Sequence, residues 1–195
     1  MKNKLISSIG NGILVTSLLA FIVSCSTPIS DLDKIKEFQP DNKYFKSSLM
    51  SLHFLTEVSS IDKVDETYQR IFSQFDLPTT AKGLPDGVYT GESPADAFDY
   101  KHIIKIEIKD EKIVSVDYNE IKEGGQGKQE DQKYCKEMSI SGTSPDIAYP
   151  IMEKQLIEKQ NANEIDAVSG ATYSLYRMRY ALAIALMKGK IKAEK

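Results

Sequence analysis

The chain has 195 residues, 25 of them basic and 28 acidic, for a net charge of −3, and 41% of it is hydrophobic. That length accommodates one domain with an appendage, and the mildly acidic balance excludes a nucleic-acid partner of the kind that needs a basic face. Two histidines and two cysteines leave little from which to build a metal cluster or a Ser-His-Asp constellation. No Gly-x-Gly-x-x-Gly fingerprint of a nicotinamide site occurs.

The first 25 residues have the layout of a secretory signal. Lys2 and Lys4 form a short basic region, Ile13 to Val23 is almost wholly apolar, and small Ser24 precedes Cys25. The apolar run falls short of the roughly 20 residues of a membrane-spanning helix. Ile22-Val23-Ser24-Cys25 resembles the bacterial lipobox, which implies that Cys25 is lipid-modified and that cleavage occurs just before it. An ordinary signal peptide, or an uncleaved anchor, is the alternative. Removing residues 1–24 takes away two lysines and no acid, which leaves 23 basic against 28 acidic residues, net −5. Cys135 is then without a disulfide partner, and its setting reads as a half-buried small hydrophobe.

After Cys25, residues 25–40 are expected to form a polar, lipid-anchored tether. Residues 41–83 read as a helical appendage and linker. Phe45, Leu49, Leu52 and Leu55 are spaced by three or four, and Ile61, Val64, Tyr68, Ile71, Phe72 and Phe75 repeat the spacing more cleanly. This predicts a helical hairpin ending near Asp76, with Ser59 as the N-cap of its second helix, packed on the main domain. Pro78 to Pro85 has the composition of a linker.

From residue 84 onward the period changes. Gly87 to Gly91 is a short strand candidate. Ile104, Ile106 and Ile108 alternate with charged residues, and Val114, Val116 and Tyr118 do so after a turn at Asp110-Glu111-Lys112, which predicts an antiparallel hairpin with one wet face. Gly124, Gly125 and Gly127 break the chain. Helices are predicted near Lys128 to Met138 and near Pro145 to Gln160, where Pro150 requires a later start or a kink. A last helix buries Leu175, Met178, Leu182, Ala185 and Leu186 on one face and stops near Gly189. The fold class is α+β: a small antiparallel sheet with helices packed on it, preceded by the helical hairpin.

The chemistry concentrates just before that last helix, at Asp166-Ala167-Val168-Ser169-Gly170-Ala171-Thr172. A turn at Ser169-Gly170 followed by a helix start leaves backbone N–H groups without intrahelical partners, at the end where the dipole favours negative charge, and so makes a natural phosphate seat. Local chemistry equally permits a plain helix N-cap made by Ser169.

DAVSGAT resembles the flavinylation motif of the FMN-binding domain family, which includes flavin-carrying subunits of the sodium-pumping NADH:quinone oxidoreductase and of the related ferredoxin-oxidising complex. The resemblance implies FMN joined through its phosphate to the hydroxyl of Thr172. It also implies a flavin transferase that makes the bond from FAD, with Asp166, Ser169, Gly170 and Ala171 as recognition or phosphate-seat positions. It covers roughly residues 84–190, through Asp86-Gly87-Val88-Tyr89-Thr90-Gly91, the hairpin and the terminal helix. The middle departs from the family: Glu123-Gly124-Gly125-Gln126-Gly127 replaces a Glu-Thr-Pro-Gly loop. The stretch from Tyr118 through Lys128, Asp131, Tyr134 and Met138 is more similar to the treponemal major-membrane-immunogen type of small lipoprotein, a branch of the same family.

Together these features give residues 84–195 as an FMN-binding domain and the function as an extracytoplasmic, membrane-anchored electron carrier rather than a self-sufficient enzyme. Membrane redox proteins or quinone are its expected partners. Tyr89, Tyr118 and Tyr173 are candidate ring contacts, and Arg177 and Arg179 either offset the phosphate or are solvated. A lipid-anchored surface binding protein, with non-covalent flavin or none, is the competing reading.

Overall fold

The computed structural model describes residues 60–193 apart from 94, 97 and 123. The signal and tether, the first helix of the predicted hairpin, and both Cys25 and His53 lie outside the described residues. Among them the order is helix α1 (Ile61–Gln74), strands β1 (Gly87–Glu92), β2 (Tyr100–Lys109) and β3 (Lys112–Lys122), then helices α2 (Gln132–Met138), α3 (Pro145–Lys159) and α4 (Thr172–Ala193). Short 3-10 turns at Ser139–Ser141 and Ala162–Glu164 link the last three helices.

The strands form one antiparallel sheet in the order β1-β2-β3. Their alternation decides its two faces: Ile104, Ile106 and Ile108 are buried under helices α3 and α4, while Lys105, Glu107 and Lys109 between them are exposed. The β2–β3 register skips a residue at Glu107/Ile108 and closes with Lys109 opposite Lys112. Asp110 and Glu111 therefore form a two-residue turn, with φ of 50° and 59°, the twist that matches a hairpin.

Helix α3 is fastened to β3 by side chains as well as by its stripe Ala148, Tyr149, Met152 and Leu156. The Tyr118 amide donates to Glu153 Oε1 at 2.7 Å. Gln160 both accepts from the Ile113 amide and donates to its carbonyl, each at 2.8 Å. The helix starts at Pro145 and runs through Pro150. Pro150 sits on the exposed side near the N-terminal end, so the lost donor affects only one early carbonyl.

Helix α4 differs from its sequence pattern in two ways. The expected face, Leu175, Met178, Leu182, Ala185 and Leu186, is buried against the sheet. The opposite face is buried too, because Tyr176, Tyr180, Ala183, Ile184 and Met187 pack against Val64, Tyr68, Ile71 and Phe72 of α1. Tilted and edge-on rings at 4.0 to 6.2 Å hold that second cluster, each pair contributing about 0.5–1.5 kcal/mol beyond its buried area. Tyr176 Oη donates to Asp65 and Tyr68 Oη to Asn163. The appendage is thus docked on the domain through α1.

The second departure is at Gly189, which does not end the helix. It lies inside α4 because Leu84 packs where a side chain would stand, 3.1 Å from a Cβ built there. Gly91 is the tightest approach: its Cβ would fall 1.8 Å from the Ala181 carbonyl oxygen, so only glycine lets β1 lie on α4. The N-cap position of α1 is Ser60 rather than Ser59, and its side chain makes no cap bond. Pro78 to Pro85 is a packed connection, with Leu77, Ala81 and Leu84 buried and the Ala162 amide donating to the Thr79 carbonyl at 2.9 Å.

The turn gives a first test. Glu111 is held at positive φ, where a residue with a Cβ costs roughly 1–2 kcal/mol and glycine costs little. Glu111→Gly is expected to raise stability by about 1 kcal/mol, read as a higher urea midpoint at unchanged slope.

Candidate functional site

The motif predicted from sequence lies at the N-terminus of α4. Gly170 takes φ of 82°, a conformation in which a side chain is strained, and the Ala171 amide donates back to the Val168 carbonyl at 2.9 Å to close the turn. The first intrahelical bond runs from the Leu175 amide to the Ala171 carbonyl at 3.1 Å, so Ala171, not Ser169, occupies the cap position. Its methyl cannot accept a hydrogen bond, and the first-turn N–H groups gain no acceptor from the cap side chain. Ser169 and Gly170 are exposed, Ala171 is buried and Thr172 is half-buried at the first helical position. Asp166 stands apart, paired with Lys159 Nζ at 2.6 Å and largely exposed.

Beside this turn opens a small, shallow pocket. Gly170, Ala171 and Ser174 form its α4 side, while Tyr134, Met138, Thr143 and Tyr149 come from α2, α3 and the loop between them. Tyr134 is placed by Asp131, which caps α2 by accepting from the Tyr134 amide at 3.0 Å. Helix α2 therefore contributes Tyr134 and Met138 to one wall.

Behind the pocket lies a charged cluster that sequence reasoning missed. Glu120 on β3 has a fully buried side chain and accepts from Lys128 Nζ at 2.6 Å, Arg177 Nη1 at 3.4 Å and Tyr118 Oη at 3.1 Å. His102, also fully buried, stands between two carboxylates, with Nε2 3.4 Å from Asp96 Oδ2 and Nδ1 3.8 Å from Glu120 Oε1. Ser174 and Tyr149 stand in the pocket wall on the side toward this cluster. Burial alone would push the Glu120 carboxyl up, but the charges of His102 and Lys128 and the bonds from Lys128 and Ser174 outweigh it and hold it below the ordinary value. Burial likewise opposes ionisation of Asp96. The bond with His102 and the amides of Tyr100 and Phe98 prevail and hold it at about 2.

Asp96, His102 and Glu120 could by type ligate a metal, yet Lys128 and Arg177 already bring positive charge to the two carboxylates. A divalent ion would leave an uncompensated positive charge in a dry interior, which costs several kcal/mol or more. The alternating pattern of β2 and β3 placed His102 and Glu120 on the inward face, and that was the available signal. Asp96, Lys128 and Arg177, which join them, come from three further segments.

The remaining candidates differ in burial. Tyr118 is fully buried behind the pocket, Tyr89 is a core residue donating to the Pro85 carbonyl at 2.8 Å, and Tyr173 is 37% exposed. Arg177 and Arg179 are not solvated. Arg177 serves Glu120, and Arg179 donates to the Ile165 carbonyl at 2.9 Å while lying over the Tyr68 and Tyr176 rings. Cys135 is buried, its thiol donating to the Lys128 carbonyl at 3.3 Å, and burial raises its pKa.

Fold and site together define a small α+β domain with a shallow pocket set against a glycine turn and a helix N-terminus. The FMN-binding domain family matches residues 100–187. A 15 kDa lipoprotein of Treponema pallidum is 30% identical over 114 residues, 57% of this chain and 80% of its own. A crystal structure of a Clostridium perfringens protein is 37% identical, with a TM-score of 0.52 and coverage of 56% of this chain and 91% of that one. The chain belongs to the FMN-binding domain family. The family match begins at β2, so β1 and the docked α1 lie outside it. Among the described residues no helix is long and apolar enough to cross a membrane.

Two outcomes follow from the buried cluster. Lys128→Met leaves a charge unpaired in the interior and is expected to cost about 3–5 kcal/mol, measured by chemical denaturation. Asp96 has a folded-state pKa below its unfolded value near 4, so its contribution is present above about pH 4 and lost as pH falls toward about 2. The stability gap between wild type and Asp96→Asn should narrow through that window.

Proposed function

We propose that this protein is an extracytoplasmic, lipid-anchored flavoprotein that carries FMN in a phosphoester bond to Thr172 and relays electrons between membrane redox proteins or quinone and an external acceptor. The observation that carries the reading is the α4 terminus. Thr172 stands at the first helical position, behind a cap residue with no side-chain acceptor and a glycine at φ 82°, beside an open pocket. These residues fit a phosphate joined to the Thr172 hydroxyl. The first-turn N–H groups and the helix dipole supply the favourable field, and Gly170 presents no side chain to obstruct approach. Arg177 and Arg179 are committed elsewhere, so the backbone is left to stabilise the phosphate charge.

FMN supplies the redox chemistry, and the protein holds and orients it. A covalent bond keeps the cofactor beside its pocket at a high effective concentration in a compartment where a dissociated flavin would be lost. The lipidated Cys25 does the same for the protein. One acyl chain binds membranes only marginally, whereas the two or three of a bacterial lipoprotein hold firmly. The similarity to a protein named a lipoprotein supports this anchor.

The test is coexpression of residues 25–195 with a flavin transferase, followed by denaturing electrophoresis and intact-mass measurement. Flavin fluorescence on the band and an FMN-sized mass increment are expected, both absent from Thr172→Ala. Unmodified wild-type protein would instead favour the surface binding protein with non-covalent flavin or none. For the anchor, labelled fatty acid should enter the full chain and be lost on Cys25→Ala.

A further inference from the structure

The exposed apolar residues of the domain gather at one end, and the packing of α1 and β1 on α4 shows which. Asp65 and Tyr68 of α1 meet Tyr176, and Tyr68 and Phe72 meet Tyr180. Positions climb both helices together, so α1 begins at the end of α4 that bears Thr172. Strand β1 runs the other way, with Gly87 by Lys192 and Gly91 by Ala181. The loop after it therefore returns to the Thr172 end, where Asp96 meets Arg177 at 3.9 Å. Met138, Thr143 and Ala148 stand around the pocket with Gly170 and Ala171, so the α2–α3 turn and the start of α3 belong to this end too.

There Ile140 is 90% exposed on the turn between Met138 and Thr143, Phe98 is 57% exposed on the loop after β1, and Ile147 is 50% exposed in the first turn of α3. Ile61 and Tyr173, at the starts of α1 and α4, also reach solvent. Residues 139–145 and 167–175, which surround them, contain no Asp, Glu, Lys or Arg. The opposite end is charged. Gly87 pairs with Ile108 and lies by Lys192, which sets the exposed turn Asp110-Glu111-Lys112 beside exposed Lys188, Lys190 and Lys192 of α4.

Single exposed apolar side chains are ordinary, but a set gathered on one uncharged end marks a membrane or protein contact. Two observations select the membrane. The apolar residues sit on two loops and three helix starts, as separate tips. A protein partner must match such tips with shaped pockets, whereas a fluid bilayer takes up each by itself. In addition, residues 26–60 join Cys25 to α1, so an anchor at Cys25 attaches to the domain at this end. The two uncharged stretches enter a headgroup region without stripping water from an ion. We propose that the Thr172 end of the domain docks on the bilayer surface, with Ile140, Ile147 and Phe98 entering its interfacial region. The proposal rests on the lipid-anchor reading above and deepens it: an electron partner dissolved in the bilayer, of the quinone class, is then the one nearest Thr172.

The chain has no tryptophan and Cys135 is buried. Residues 25–195 can therefore be coupled through the Cys25 thiol to a maleimide-headgroup lipid, in vesicles of phosphatidylethanolamine and phosphatidylglycerol, and read by one introduced tryptophan. Ile140→Trp should shift its emission to the blue on anchoring and be quenched by lipids brominated in their acyl chains. Val114→Trp, exposed near the charged end, should do neither. Adding Ile147→Asp to Ile140→Trp should abolish the shift and the quenching at an unchanged urea midpoint. An unshifted Ile140→Trp, or equal quenching of the two tryptophans, would overturn the proposal. So would a shift that accompanies self-association without vesicles, which gives the surface to a second copy. Because the coupling is chemical, the fatty-acid label tests the native anchor separately. Docking without label removes the anchor and keeps the surface; label without docking removes the surface alone.

Discussion

Glu120 carries a negative charge to a place that water does not reach, and much of the domain is arranged around satisfying it. The carboxylate lies on the inward face of β3, and its partners come from everywhere else: Lys128 from the loop after the strand, Arg177 from α4, Tyr118 from its own strand and His102 from β2. An unpaired charge there would cost several kcal/mol, a large fraction of the stability of a small domain. The sheet, the loop and the last helix are therefore held in one mutual register. Apolar packing alone would tolerate small slips between them; a 2.6 Å ion pair with a buried carboxylate does not.

That constraint reaches the pocket because Arg177, which engages Glu120, lies one helical turn from Ser174 of the pocket wall on α4. The first turn of α4, with Thr172 at its start, is thereby pinned to the sheet. On the other side of the same helix, α1 covers Tyr176 and Tyr180, and Arg179 lies over the Tyr68 and Tyr176 rings. Helix α4, with Thr172 at its start, is thus clamped between the sheet and α1, buried on both sides.

The departures from sequence expectation share this origin. Arg177 and Arg179 look like surface residues of an amphipathic helix because helical periodicity sees one chain segment at a time. They are buried because Glu120, Asp96 and the Ile165 carbonyl arrive from other segments. Gly189 looks like a helix stop, but Leu84 occupies the space its side chain would fill, so the glycine is a contact residue. Tyr134 and Tyr149, which line the pocket, carry no local mark that separates them from Tyr89 or Tyr118.

The sequence by itself determined the hairpin of β2 and β3, the stripe of α4 that meets the sheet, and the motif ending in Thr172, because period-two alternation, helical spacing and a glycine turn before a helix are local properties. It also carried the family likeness, on residues close together in the chain. Only the tertiary structure decided that Thr143 Oγ1 is left without a hydrogen bond and that Asp96, Glu120, Lys128 and Arg177 meet in one buried cluster. Those facts depend on distances between segments far apart in sequence, and in a dry interior such distances decide whether a polar group is paired or available to a ligand.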